Sequence, residues 1–130
     1  MNTKTFKALM EHRLEHCEKL LISKGKEYNE EDDRFKSFRM AGLEQGCSSV
    51  RALDGMWSKH RVSIQQEIRK MEADPTYIPS DTWIKEKLTD NINYTVLLEG
   101  LIRERKTELR EKEKKTNGAI DIQQYGNYNP

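Results

Sequence analysis

The sequence predicts an all-α protein, a bundle of about four helices. Apolar residues recur at spacings of three and four along most of the chain, and no segment alternates apolar and polar residues at any length. Glycine and proline punctuate the chain between these periodic runs. At 130 residues the chain suits one compact domain with a modest core, and no internal repeat divides it.

From Thr3 to Ser23 the residues Phe6, Leu9, Met10, Cys17, Leu20 and Leu21 share one helical face, and Gly25 supplies a stop. The segment KGKEYNEEDD is too polar and too short for a core element, so it reads as a loop. A second helix follows from about Asp32 to Gln45, closed by Gly46. Ser48 or Ser49 caps a third helix through about Met71, and ADPTYIPSD, with two prolines, is a connection. Ser80 or Asp81 caps a fourth helix carrying Trp83, Ile84, Leu88, Ile92, Leu98, Leu101 and Ile102 on one side. That helix extends through RERKTELREKEKK as a solvated overhang, since Leu109 is the only apolar residue there. The helical domain is expected to end at residue 115. The polar tail TNGAIDIQQYGNYNP, 116–130, is expected to be mobile or to dock on a neighbour.

Composition narrows the partners. The chain carries 23 Lys and Arg against 22 Asp and Glu, a net charge of +1, so it has no global basic field and duplex nucleic acid is not the expected partner. No run of 18 apolar residues is present, and the N-terminus lacks the apolar centre of a signal peptide; the expectation is a cytoplasmic protein without a membrane partner. Cys17 and Cys47 fit a reducing compartment and form no zinc signature. Glu11, His12, Glu15 and His16 read as a solvated face rather than a metal site.

Function is sought among polar groups on inner faces. The third helix has a stripe of Leu53, Met56, Trp57, Ile64, Ile68 and Met71; His60, Ser63 and Glu67 fall within or beside it, and Lys59 lies at its edge. On the fourth, the stripe of Ile84, Leu98 and Ile102 contains Lys87, Asn91 and Thr95, with Asp90 and Tyr94 at its margin. Burying such groups unpaired costs roughly 1 to 3 kcal/mol each. Two solutions stay open. Either Glu67 or Asp90 neutralises Lys87 while His60 donates to a carboxylate, or the groups face a ligand. The stretch Lys24 to Arg39 allows a similar choice between a solvated charged loop and a site. In a site, Tyr28, Phe35 or Phe38 would offer a flat surface to a base, and Lys24, Lys26, Arg34 and Arg39 would hold phosphates.

The ordered motifs K-G-K-E-Y, D-R-F-x-x-F, G-M-x-x-K-H-x-x-S and E-K-x-x-D-x-x-N-Y-x-x-L-L span about Leu20 to Arg103. In them the chain resembles small phage-encoded helical proteins related to the nucleotide-modification-associated domain, and more distantly the MazG-like all-α nucleoside triphosphate pyrophosphatases. The resemblance implies a nucleotide-binding bundle, often a homodimer or higher homo-oligomer. MazG-like enzymes hold Mg²⁺ with Glu-x-x-Glu on one helix and Glu-x-x-Asp on another, because phosphoanhydride hydrolysis needs hard oxygen ligands to bind the metal and activate water.

This chain departs from that acidic set. Lys59, His60 and Ser63 occupy the region where only Glu67 is negative, and Lys87 stands where the Glu paired with Asp90 would stand. Cations in place of carboxylates suit binding without a metal cofactor. The expected ligand contacts are Lys24, Lys26, Tyr28, Arg34, Phe38, Lys59, His60, Lys87, Asp90, Asn91 and Tyr94. By analogy with phage sponge proteins, the expected role is capture of a nucleotide, including a cyclic-nucleotide immune signal, in the host cytosol. The alternative is a divergent Mg²⁺-dependent pyrophosphohydrolase using Glu67 and Asp90 with Glu86, Glu27 or Asp33. A third reading makes the polar groups a structural network and the charged helix end a protein-interaction surface. No Ser-His-Asp or Cys-His arrangement supports covalent catalysis.

Overall fold

Three of the four helices begin where a short polar side chain accepts from an otherwise unpaired backbone N–H. The computed structural model describes residues 1–28 and 32–126, and the side chains of Tyr28 and 119–126 lie outside the description. Four helices and no strand occur among the described residues: α1 Thr3–Tyr28, α2 Lys36–Gln45, α3 Ser49–Ala73 and α4 Asp81–Gly126. Asn2 accepts from Thr5 N at 2.9 Å to start α1. Ser48 accepts from Arg51 N at 3.1 Å to start α3, and Ser80 from Trp83 N at 3.1 Å to start α4. Gly46, at φ 66°, closes α2 in the left-handed conformation that glycine adopts without strain.

The first two boundaries differ from the sequence pattern. Gly25 does not end α1; it lies inside the helix, where its missing side chain leaves room for the Arg34 guanidinium. The K-G-K-E-Y segment is therefore helical, and the central part of the expected loop, residues 29–31, lies outside the described residues. The second helix starts at Lys36 because Asp32 to Phe35 form a turn, in which Asp33 Oδ1 accepts from Phe35 N at 3.2 Å. At the other end α4 continues to Gly126, past the position where the polar pattern begins. Residues 127–130 of that tail lie outside the described residues.

α2 packs on α3, α3 on α4, and α1 on α4. Phe38, Leu53, Leu97 and Leu101 form the buried centre, flanked by Leu21, Phe35, Val50, Met56, Trp57, Tyr94 and Leu98. Polar ties fix the helices around it. Arg13 donates from α1 to Lys85 O and Thr89 Oγ1 on α4, at 3.0 and 2.6 Å. Arg39 on α2 reaches both Asp33 and Glu104. Gly100 gives the Phe35 ring its place, since a Cβ there would overlap the ring.

Several residues of the expected stripes are exposed: Phe6, Leu9 and Met10 on α1, Ile68 and Met71 on α3, and Ile102 on α4. The helices overlap only in part, which accounts for most of these. Trp83 Nε1 donates to Ser63 Oγ at 3.3 Å and Trp57 Nε1 to Asn91 Oδ1 at 2.9 Å, so α3 and α4 run antiparallel and α3 beyond Ser63 outruns the start of α4. Arg13 sits level with Lys85, so the first turns of α1 also extend past α4. Along α4 the deepest positions are Thr89, Asn93, Leu97 and Leu101, a ridge of every fourth residue, because this helix packs against α1 as well as α3. Among the described residues no helix is long and apolar enough to cross a membrane.

Candidate functional site

All four helices contribute to one cavity of about 520 Å³. Asp90, Asn93, Tyr94 and Leu97 face it from α4, at the i, i+3, i+4 and i+7 spacing of a single helical face. Met56, Lys59 and His60 face it from α3, Leu21 and Lys24 from α1, Ser37 and Phe38 from α2, and Arg34 from the turn before α2. Polarity is graded from inside to outside. Phe38, Leu97 and Asn93 are buried, the His60 and Asp90 side chains are 11% and 19% exposed, and the Lys24 side chain is 48% exposed. Lys59 is exposed at the opening.

Asp90 is the carboxylate of this wall. Its Oδ1 lies 3.9 Å from Lys24 Nζ and its Oδ2 lies 3.4 Å from His60 Nδ1. The latter pair is close enough to interact electrostatically, yet His60 Nδ1 makes no hydrogen bond among the described residues. Burial pushes the His60 imidazole below its ordinary value; Asp90 opposes this, and Lys87, Lys59 and Lys24 add to it. His60 is therefore neutral at pH 7. Burial also lowers the Arg34 guanidinium, which stays charged as guanidinium groups do. The described lining thus sets Lys24, Lys59 and Arg34 against Asp90, a surplus of positive charge.

The aromatic wall is stacked. Tyr94 lies parallel to Trp57 at 6.2 Å and tilted against His60 at 5.2 Å. Arg61 covers Trp57, its guanidinium 4.7 Å from the ring centre. Besides His60 Nδ1, one more buried atom of the lining has no hydrogen-bond partner among the described residues: Asn93 Oδ1, in a residue only 7% exposed.

Of the expected contacts, Lys24, Arg34, Phe38, Lys59, His60, Asp90 and Tyr94 meet at this cavity. Lys87 does not line it, although its charge reaches His60. Asn91 is committed elsewhere, accepting from Trp57 and donating to Lys87 O at 2.9 Å. Lys26 lines a neighbouring depression with Asp32, Asp33 and Arg34. Tyr28 ends α1, and its side chain lies outside the description.

The two carboxylates of the metal alternative do not converge. Glu67 accepts from Lys70 Nζ and from Tyr77 Oη, each at 2.6 Å. It lies two turns, about 10 Å, along α3 from His60, the residue level with Asp90. Asp33 is engaged by Arg39. Among the described residues no group of three or more His, Cys, Asp or Glu side chains is placed to hold a metal ion.

Sequence reasoning selected Asn91 and passed over Asn93, Met56, Ser37, Leu21 and Leu97. The signal for Asn93 was present in the N-Y-x-x-L-L motif, since Asp90, Asn93, Tyr94 and Leu97 share a helical face. No family model, curated protein or solved structure matches this chain.

Proposed function

We propose that this protein captures a phosphorylated nucleotide in the cavity and releases it uncut. The arrangement of charge supports the reading: Lys24, Lys59 and Arg34 stand against Asp90, while Phe38, Met56, Tyr94 and Leu97 supply apolar and aromatic surface. Lysine and arginine hold phosphate oxygens by charge-assisted hydrogen bonds without a metal, and an apolar wall takes a base. The volume falls within the range of about 300 to 1,000 Å³ usual for a small-ligand site. Binding is preferred to hydrolysis because the Glu67 carboxylate is occupied by Lys70 and Tyr77, remote from Asp90. The resemblance to phage-encoded proteins extends the candidate ligands to cyclic nucleotides that signal host immunity, which a homo-oligomer in the host cytosol would sequester.

The test is a thermal-shift screen of linear and cyclic nucleotides, with Mg²⁺ and with EDTA, followed by chromatography of each stabilising ligand. Stabilisation in EDTA with the ligand recovered intact is expected. Conversion of the ligand only in Mg²⁺ would make the protein a pyrophosphohydrolase, and indifference to every nucleotide would remove the nucleotide reading altogether.

A further inference from the structure

The inner part of the cavity wall holds a buried acceptor that no described part of the chain satisfies. Among the described residues Asn93 Oδ1 has no donor, although the residue is nine-tenths buried and lies on the same face of α4 as Asp90 and Tyr94. Buried polar atoms nearly always find partners, and the exceptions in a cavity wall point to what the cavity receives. Asp90, one turn earlier, is a second acceptor. A ligand that fits this wall donates hydrogen bonds from its inner end and carries negative charge at its outer end, where Lys24 and Lys59 lie.

We propose that Asn93 reads the base of the bound nucleotide and that the base is adenine, a step that rests on the nucleotide reading of the cavity. A carboxamide offers an acceptor beside a donor in one plane. Adenine offers the complement, its 6-amino donor beside a ring-nitrogen acceptor, and asparagine is the side chain that matches it with two hydrogen bonds. On its N7 edge guanine presents two acceptors and is read by arginine or lysine, whereas its N1 edge sets a donor beside an acceptor that a carboxamide also matches, so GMP is the probe that separates the two purines. Here Lys24, Lys59 and Arg34 are all more exposed than Asn93, and the buried polar position belongs to an amide. The adenine ring enters edge-first beside Phe38, Met56 and Leu97, and the phosphate stays with Lys24, Lys59 and Arg34.

Calorimetric titration in EDTA tests this with four probes: AMP, purine riboside 5′-monophosphate, which has hydrogen in place of the 6-amino group, GMP, and ribose 5-phosphate. AMP is expected to bind about 10- to 100-fold more tightly than either other nucleotide. Asn93→Leu, close in size but unable to hydrogen-bond, is expected to erase that difference while binding of ribose 5-phosphate persists. Equal affinity for the three nucleotides in the wild-type protein overturns the assignment of Asn93 but leaves a nucleotide site standing. A preference for AMP that survives Asn93→Leu overturns it as well. Failure of all four probes to bind removes the nucleotide reading and this inference together. The wild-type comparison needs no variant, so a poorly folding Asn93→Leu does not shield the proposal.

Discussion

His60 faces opposing influences, and burial outweighs attraction. Asp90 favours the imidazolium, but desolvation and the surrounding Lys87, Lys59 and Lys24 favour the neutral ring. The pKa of the folded protein then lies below that of the unfolded chain, about 6.5. Between the two values the unfolded chain binds more protons. Stability from this group is accordingly complete above about pH 6.5 and is lost as pH falls toward the folded value. The melting temperature of the ligand-free protein is expected to drop between about pH 7.5 and about pH 5.5, less steeply in His60→Gln. His16, also lowered by burial, contributes with the same sign, so the difference between the two slopes isolates His60. Parallel slopes would show that another group governs the effect. At this scale the sequence was informative about residue type and less so about direction. His60, Lys59 and Asp90 stood out as polar groups on apolar faces, but Asn91 and Asn93 lie about 200° apart around α4, and only the neighbours decide which is used. Trp57 claims Asn91, and nothing described claims Asn93.

α1 acts on the site through a residue that carries no side chain. Gly25 lies in the helix interior, where alanine would contribute roughly 1 kcal/mol of added helix propensity. A Cβ at this position, however, would stand 2.9 Å from Arg34 Nε and 3.2 Å from Cζ. The end of a flexible side chain can move aside, so the fold tolerates the change while the guanidinium leaves its position over Leu21 O. Gly25→Ala is expected to melt at or above the wild-type temperature and to bind nucleotide about tenfold more weakly, the loss of one charge-assisted hydrogen bond. Circular dichroism and calorimetry read the two effects separately. Unchanged affinity would mean that Arg34 does not touch the ligand. The same glycine explains why element boundaries were only partly legible. A glycine after an apolar run signals a helix end when it adopts positive φ, as Gly46 does, but an identical letter can instead permit close packing. The starts of α3 and α4 were clearer because Ser48 and Ser80 cap through local hydrogen bonds that depend on neighbouring residues alone, whereas α2, with no side-chain cap, starts four residues after the expected Asp32. The stripes were harder, since which face of α4 is buried depends on where α1 and α3 cross it.

The molecule as a whole exposes more surface than its mass requires. The chain has 10661 Å² of accessible surface, whereas a compact monomer of 15.3 kDa exposes about 7,100 Å². Part of the excess is the overhang of α4 beyond Glu104; part is the start of α1, which outruns α4. The face of α1 that packs on α4 at Arg13, and that includes the buried Cys17, continues exposed through Phe6, Leu9 and Met10, and Leu14 is exposed beside it. We expect a second copy of the chain to cover it. Antiparallel, two-fold pairing of two α1 segments sets Phe6, Leu9 and Met10 of each copy against those of the other, the self-complementarity that a symmetric dimer needs. An excess of about 3,500 Å² per chain leaves ample room for the roughly 800 Å² per partner that a stable interface buries. Light scattering after gel filtration is expected to give twice the chain mass, with a melting temperature that rises with protein concentration. Met10→Glu, exposed in the isolated chain, should return the mass to that of one chain without unfolding it. A single-chain mass for the wild-type protein at high concentration would refute the pairing while leaving the cavity intact, because every residue that forms its described wall comes from one chain.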